Sequence, residues 1–133
     1  MQNNDIVVTG LGLLCGLGLD LESSWKGLVE GKNPVKMFTL FGTGDISAPF
    51  GGELPDGEEE IFKENIKTRN RKQMTRGTMI AITAAKMALE DSRIDLETAD
   101  KSRIGVVAGA TGTGYAPVTL DIDGNRILKN MAN

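Results

Sequence analysis

The sequence predicts an α/β fold, and three observations carry that prediction. Two short apolar runs, residues 6–9 and 104–108, are rich in β-branched side chains, and each is followed by glycine, as is typical of buried strands. A short amphipathic pattern follows the first run. A long and almost wholly apolar helical pattern precedes the second. Strands that alternate with helices indicate an α/β arrangement, and no repeat or linker divides the 133 residues.

Composition excludes several classes of protein. The chain is 40% apolar and 25% charged with a net charge of −3, so it lacks the basic excess that nucleic-acid binding usually needs. Its one cysteine cannot form an internal disulfide, which favours a reducing compartment. No apolar run approaches the roughly 20 residues of a membrane span, and no basic segment precedes the apolar start. We therefore expect a cytoplasmic protein without nucleic-acid or membrane partners.

The first helix is predicted to begin after Asp20, a favourable N-cap residue. Trp25, Leu28 and Val29 then recur at helical spacing, which predicts a short helix packed on a sheet. Gly31 is a natural stop because glycine readily adopts the left-handed conformation at a helix C-terminus.

The next segment, residues 32–57, shows no strong period and predicts an irregular excursion with one short strand or hairpin arm. Charge then changes sharply, from an acidic stretch over residues 53–64 to a basic stretch over residues 67–76. The basic stretch has two interpretations: a solvated face that offsets the neighbouring acid, or a docking surface for an acidic partner.

The longest helix is predicted over residues 73–92, apolar nearly all round and therefore buried, with alanines that allow close approach to a neighbour. Residues 94–100 predict a turn with a capped helical fragment. Towards the end, residues 121–124 predict a turn and residues 125–132 the start of another helix.

The glycine-rich turns do not match nucleotide-binding motifs. Residues 10–15 nearly fit G-x-G-x-x-G/A, but the last position fails and the helix begins about eight residues later. Residues 109–114 lack the lysine and hydroxyl residue of a phosphate loop. We interpret the first cluster as glycines that let a buried strand turn tightly. We interpret the second as a strand-to-helix turn that needs a positive φ or close backbone approach. Cys15 has no histidine anywhere in the chain to activate it, which predicts a buried, inert residue.

Six segments, in order and at sensible spacing, together resemble the amino-terminal portion of the β-ketoacyl-acyl carrier protein synthases, condensing enzymes of the thiolase superfamily. They are the opening strand and turn, the first helix with its exit, the excursion strand, two parts of the long helix, and the strand after it: residues 7–12, 17–32, 50–53, 71–74, 84–92 and 103–109.

This resemblance implies a thiolase-like fold with αβαβα layers, of which residues 1–133 would form an incomplete amino-terminal half. It implies decarboxylative condensation of an acyl thioester with malonyl-carrier protein, in fatty acid or polyketide synthesis. The family's nucleophilic cysteine and two histidines fall beyond Asn133, so we expect no catalytic residue, no cofactor and no metal site in this chain. We also expect it to be inactive alone.

The resemblance also places two sites. The family's acidic carrier protein docks on basic residues at the start of the long helix, which correspond here to Arg69, Arg71 and Lys72, with Arg126 as a further contact. The acyl pocket would include Gly112 and Thr113. Gly112 stands where the family often has a bulky apolar gate, which favours a roomier or differently gated pocket and a polyketide or specialised-lipid enzyme.

Two other functions stay open at this point. One is a non-catalytic chain-length-factor-like subunit that shapes the acyl pocket of a ketosynthase partner. The other is a free-standing α/β binding domain. If the chain is part of a condensing enzyme or of a chain-length-factor-like subunit, another chain would cover the apolar helix and strand. That chain would be a complementary carboxy-terminal chain, a homodimer partner or a ketosynthase heterodimer partner. The isolated chain is therefore expected to associate.

Overall fold

A computed structural model of the chain describes residues 5–40, 42–45, 47–110, 118–120 and 126–128, the last two ranges by their backbone only. Helices and short antiparallel strands alternate along these residues. In chain order they are α1 Leu21–Val29, β1 Val35–Met37, β2 Phe50–Gly52, α2 Glu58–Asn65, α3 Thr68–Arg71, α4 Arg76–Ser92, a 3₁₀ turn Lys101–Arg103, β3 Val118–Leu120 and β4 Arg126–Leu128.

The excursion forms the predicted hairpin arm. β1 and β2 pair antiparallel, with Val35 opposite Gly52 and Met37 opposite Phe50. Glu53 follows β2 directly, and its buried carboxylate accepts hydrogen bonds from the backbone N–H groups of Thr39 and Leu40. The carboxylate therefore closes the hairpin loop back onto the end of β2.

A second hairpin corrects the prediction for the end of the chain. β3 and β4 pair antiparallel, with Val118 opposite Leu128 and Leu120 opposite Arg126. The helix predicted over residues 125–132 is therefore wrong at 126–128, because cross-strand hydrogen bonding overrides a weak local helical preference. The turn predicted at residues 121–124 lies outside the described residues.

Helix α1 has the predicted ends. The Asp20 carboxylate accepts a hydrogen bond from the Ser23 backbone N–H at 2.7 Å, and Gly31 has φ of +68° just beyond the helix. Its apolar face differs from expectation, since Trp25 is 64% exposed and Leu28 and Val29 are exposed beside it. Among the described residues, no sheet packs against this face.

Helix α4 begins later than predicted, at Arg76, because Thr75 is extended and caps the helix by accepting from the Thr78 backbone N–H. It ends as predicted at Ser92, where Arg93 adopts the left-handed conformation with φ of 56°. The helix is not buried all round: of its described side chains, Thr83 is fully buried and the others are half-buried or exposed.

The opening turn packs closely against α4. A Cβ added to Gly12 would lie 2.7 Å from the Ala88 backbone nitrogen, and one on Gly10 would lie 2.8 Å from Ser92 Cβ. The Leu11 backbone N–H donates to the Asp91 carboxylate at 2.9 Å. The small side chains of α4 thus allow the close approach predicted for them.

The two apolar runs do not form buried strands within the described structure. Residues 5–10 and 104–110 have no strand pairing there, and Ile6, Val7, Val106 and Val107 are at least 70% exposed. A buried parallel strand needs neighbouring strands and covered faces. The described residues supply neither, so the predicted burial is wrong for this chain.

The best-covered part of the described chain lies where α2 packs on α4. Phe62 is completely buried, and Ile66 and Leu14 are nearly so. Helix α2 therefore provides the centre of the core and holds the adjoining basic segment in place. The sequence analysis did not predict this helix within the acidic stretch.

Candidate functional site: a basic segment beside an acidic helix

The basic segment begins with α3 and continues into the first turn of α4, beside the acidic first turn of α2. Arg76, at the start of α4, binds Glu58 of α2 through both carboxylate oxygens, with Nε 2.9 Å from Oε1. The Glu58 side chain is 17% exposed and that of Arg76 39%. This partly buried bidentate pair fastens α2 to α4 and leaves Arg76 committed to an internal partner.

Arg71, the last residue of α3, is also turned towards the protein. Its side chain is 17% exposed, with Nη1 3.7 Å from Glu59 Oε2 and Nη2 donating to Thr68 Oγ1 at 3.4 Å. The Nε atom is buried without a hydrogen-bond partner among the described residues. The guanidinium is therefore neither fully presented to solvent nor fully satisfied.

Arg69 and Lys72 differ from Arg71 in their surroundings. Both are exposed, and neither forms an ion pair with any residue in the described part of the chain. Lys67, just before α3, is exposed as well. The predicted docking residues thus fall into two groups: exposed cations on α3 and after it, and one guanidinium paired with α2.

The remaining predicted site residues lie elsewhere. Arg126 is in β4, where its backbone pairs with Leu120, and its side chain is not among those described. Gly112 and Thr113, the predicted acyl-pocket residues, lie outside the described residues. The structure therefore describes the surroundings of the helical part of the predicted docking surface, and the roles of all these positions stay predictions.

Cys15 is half-buried, not buried as expected, and its Sγ lies 3.4 Å from Ser24 Oγ. Burial by itself raises the pKa of the Cys15 thiol. Hydrogen bonding to Ser24 and to the backbone at Leu17 and Gly18 outweighs burial and places the pKa below its ordinary value. No histidine exists in the chain to act as a base, so the prediction that this thiol is inert still rests on the missing base.

Sequence reasoning missed two contacts that shape this region. Glu58 and Arg76 are 18 residues apart, and Lys86 donates to the Asn65 backbone carbonyl at 3.0 Å across 21 residues. Neither spacing has a local signature, because both contacts follow from the packing of α2 on α4. The available signal was the sharp change from acidic to basic residues, and it left open whether the basic stretch offsets the neighbouring acid or forms a docking surface.

Within the described residues, no group of histidine, cysteine, aspartate or glutamate side chains is arranged to hold a metal ion. None of the described helices is both long enough and apolar enough to cross a bilayer.

Comparison with known families defines the class of protein. Residues 3–133 match the family model described as the N-terminal domain of beta-ketoacyl synthase. Because this match covers almost the whole chain, the chain belongs to the β-ketoacyl synthase family, and the family resemblance of the six segments is confirmed.

The individual relatives that match this chain include 3-oxoacyl-[acyl-carrier-protein] synthases. The chain is 32% identical over 121 residues to a 3-oxoacyl-[acyl-carrier-protein] synthase 2 of Synechocystis sp., which covers 91% of this chain and 28% of that protein. It is 32% identical over 109 residues to the 3-oxoacyl-[acyl-carrier-protein] synthase 2 of Staphylococcus aureus strain COL, covering 82% of this chain and 26% of that protein. The chain thus spans about a quarter of the length of these relatives.

Proposed function

We propose that the chain serves as the amino-terminal part of a 3-oxoacyl-acyl carrier protein synthase of fatty acid synthesis, within a thiolase-like body of αβαβα layers. The observation that carries the proposal is the family match over residues 3–133, supported by 32% identity to two named synthases. The reaction is the decarboxylative condensation of an acyl thioester with malonyl-carrier protein.

The proposed mechanism assigns the chemistry to a cysteine other than Cys15 and to two histidines, all outside residues 1–133. A cysteine thiolate attacks the acyl thioester and expels the carrier protein's thiolate, forming a new thioester on the enzyme. Loss of CO₂ from the malonyl group then gives an enolate, whose oxygen is stabilised by two histidines. The enolate carbon attacks the acyl-enzyme and releases the cysteine. This chain contributes scaffold and carrier docking.

The activity test compares the polypeptide encoded by the whole gene with residues 1–133 alone. Each is supplied with an acyl thioester and malonyl-carrier protein, and 3-oxoacyl product is measured by mass spectrometry. We expect product from the whole polypeptide and none from the 133 residues. Carrier binding without condensation by the whole polypeptide would contradict the enzyme proposal and favour the chain-length-factor-like subunit.

We also propose that the basic segment docks the carrier protein, through the exposed cations Arg69 and Lys72. Exposed charges of this kind steer encounter and make affinity depend on salt. Reversing both, with Arg69→Glu and Lys72→Glu, is expected to weaken carrier binding by about tenfold at low ionic strength.

A matched control separates this effect from net charge. The control is Lys26→Glu with Lys101→Glu, which changes the net charge by the same amount. Lys26 in α1 and Lys101 in the 3₁₀ turn are also exposed, so the two pairs match in exposure as well. We expect a much smaller loss of affinity in this control, measured by fluorescence anisotropy of a labelled acyl carrier protein. Equal losses of affinity in the two double variants would contradict docking and favour the interpretation of the basic segment as a solvated face.

A further inference from the structure

The acidic first turn of α2 presents three successive carboxylates with different partners. Glu58 is held in the bidentate pair with Arg76, and Glu60 pairs with Lys63 of its own helix at 3.5 Å. Glu59 reaches across to Arg71 at 3.7 Å while staying 60% exposed. Glu59 is therefore the carboxylate that contacts a predicted docking residue.

The contact between Glu59 and Arg71 is loose. A separation of 3.7 Å is beyond a well-formed hydrogen bond, so the pair gains Coulomb attraction without the stronger charge-assisted bond. Arg71 also keeps a buried Nε without a partner in the described structure. A carboxylate that reached the outer guanidinium nitrogens at shorter distance would replace Glu59 at little cost.

Exposed cations lie on both sides of Arg71 in the sequence. Arg71 ends α3, and Lys72 follows it directly, exposed to solvent, with Arg69 exposed two residues before. An acidic surface attracted to those two exposed cations is brought next to the Glu59–Arg71 pair. Its carboxylates and Glu59 would then compete for the same guanidinium.

We propose that Glu59 is an internal competitor for the acidic carrier protein, occupying Arg71 in the free protein and giving way to a carrier carboxylate when the complex forms. This inference rests on the proposed docking function and adds a regulatory element to it. Glu59 weakens carrier binding and favours release, and the Arg71 guanidinium exchanges one carboxylate for another without any change in covalent structure.

The test compares Glu59→Gln with Glu60→Gln in the polypeptide encoded by the whole gene. Both substitutions remove one negative charge from the same turn of α2, both affect exposed side chains, and each frees one cation. Glu59→Gln is expected to tighten binding of a purified acyl carrier protein about three- to fivefold at low salt, and Glu60→Gln by less than about 1.5-fold. The gain from Glu59→Gln should disappear at about 0.5 M salt.

A second background tests the exchange itself. If Glu59 acts through Arg71, Glu59→Gln has no effect on affinity when Arg71 is already glutamine. Equal gains from the two glutamate substitutions, or a gain that persists in the Arg71→Gln background, would overturn the inference.

The two proposals fail in different ways. If Arg69→Glu with Lys72→Glu weakens binding but Glu59→Gln leaves it unchanged, docking stands and the competitor is excluded. If no variant binds the carrier protein, docking fails, and the same comparison with a synthetic glutamate-rich helical peptide decides the exchange. Absence of an Arg71-dependent gain with that peptide excludes the competitor as well.

Discussion

At the scale of single residues, the Glu53 carboxylate is held by both the backbone and the side chain of the hairpin loop. Its Oε1 accepts from the backbone N–H groups of Thr39 and Leu40 at 2.9 and 3.0 Å, and its Oε2 accepts from Thr39 Oγ1 at 2.7 Å. Lys36 lies 3.9 Å away. The Thr39 side chain contributes most to a pKa of Glu53 below its ordinary value, and the two backbone bonds and Lys36 act in the same direction against burial.

The lowered pKa makes the hairpin loop sensitive to acid. A carboxyl group whose pKa is lower in the folded state stabilises that state above its unfolded pKa, and this stabilisation is lost as pH falls through the folded value. We expect the thermal midpoint to fall below about pH 4 in the native chain. In Glu53→Ala the midpoint should be lower at pH 7 and show less of this acid-induced fall.

Glu53→Gln is the control for charge. Its amide oxygen can still accept from the two backbone N–H groups, and its amide nitrogen can donate to the Thr39 hydroxyl. In circular dichroism melts at pH 7 and pH 3.5, Glu53→Gln should lower the thermal midpoint less than Glu53→Ala does. A wild-type chain and a Glu53→Ala chain with identical pH profiles would contradict the assignment.

At the scale of elements, the contact between the opening turn and α4 depends on the absence of side chains. Gly10 and Gly12 lie against the backbone of α4 at Ala88 and Ser92, closer than any Cβ could approach. The sequence predicted that the alanines of the helix allow close approach to a neighbour, and the structure shows that the opening turn is that neighbour.

Gly12→Ala is expected to destabilise the chain by about 1–3 kcal/mol, since the added methyl group forces the turn away from α4. The control is Gly105→Ala, where an added Cβ has no atom within 4 Å, and we expect a change within about 0.5 kcal/mol. Urea unfolding followed by circular dichroism measures both. Equal effects of the two substitutions would show that the close contact contributes nothing to stability.

At the scale of the whole molecule, much apolar surface stays uncovered in the described structure. Val106 and Val107 are 91% and 101% exposed, and Ile6 and Trp25 add to the uncovered surface. Exposed apolar area of this kind marks a surface that associates, either with another protein or with further copies of the same chain. Purified residues 1–133 should therefore bind a hydrophobic dye and sediment as oligomers.

The association prediction has a matched pair of variants. Val106→Lys with Val107→Lys removes two exposed apolar side chains and adds two charges. Gly109→Lys with Ala110→Lys adds the same charges in the same exposed segment and removes little apolar surface. Sedimentation velocity should show less association in the valine pair than in the control. A dye-negative monomer for the unchanged chain would contradict the prediction.

The sequence by itself determined the features that depend on neighbouring residues. The Asp20 cap, the Gly31 stop, the hairpin arm near Phe50 and the end of the long helix at Ser92 follow from local hydrogen bonding and backbone preference. The family also followed from the sequence, because six short motifs in one order are more specific than any of them alone.

Tertiary structure alone decided which charges are paired and which apolar runs are covered. Glu58 pairs with Arg76 and Glu59 with Arg71 because α2 packs beside α3 and α4. The partners are far apart in the sequence, so no local pattern predicts the pairs. Residues 6–9 and 104–108 have strand-like composition, but a strand is completed by its neighbours, and the described residues provide none. Local chemistry selects the elements, whereas pairing and burial depend on what lies beside them in space.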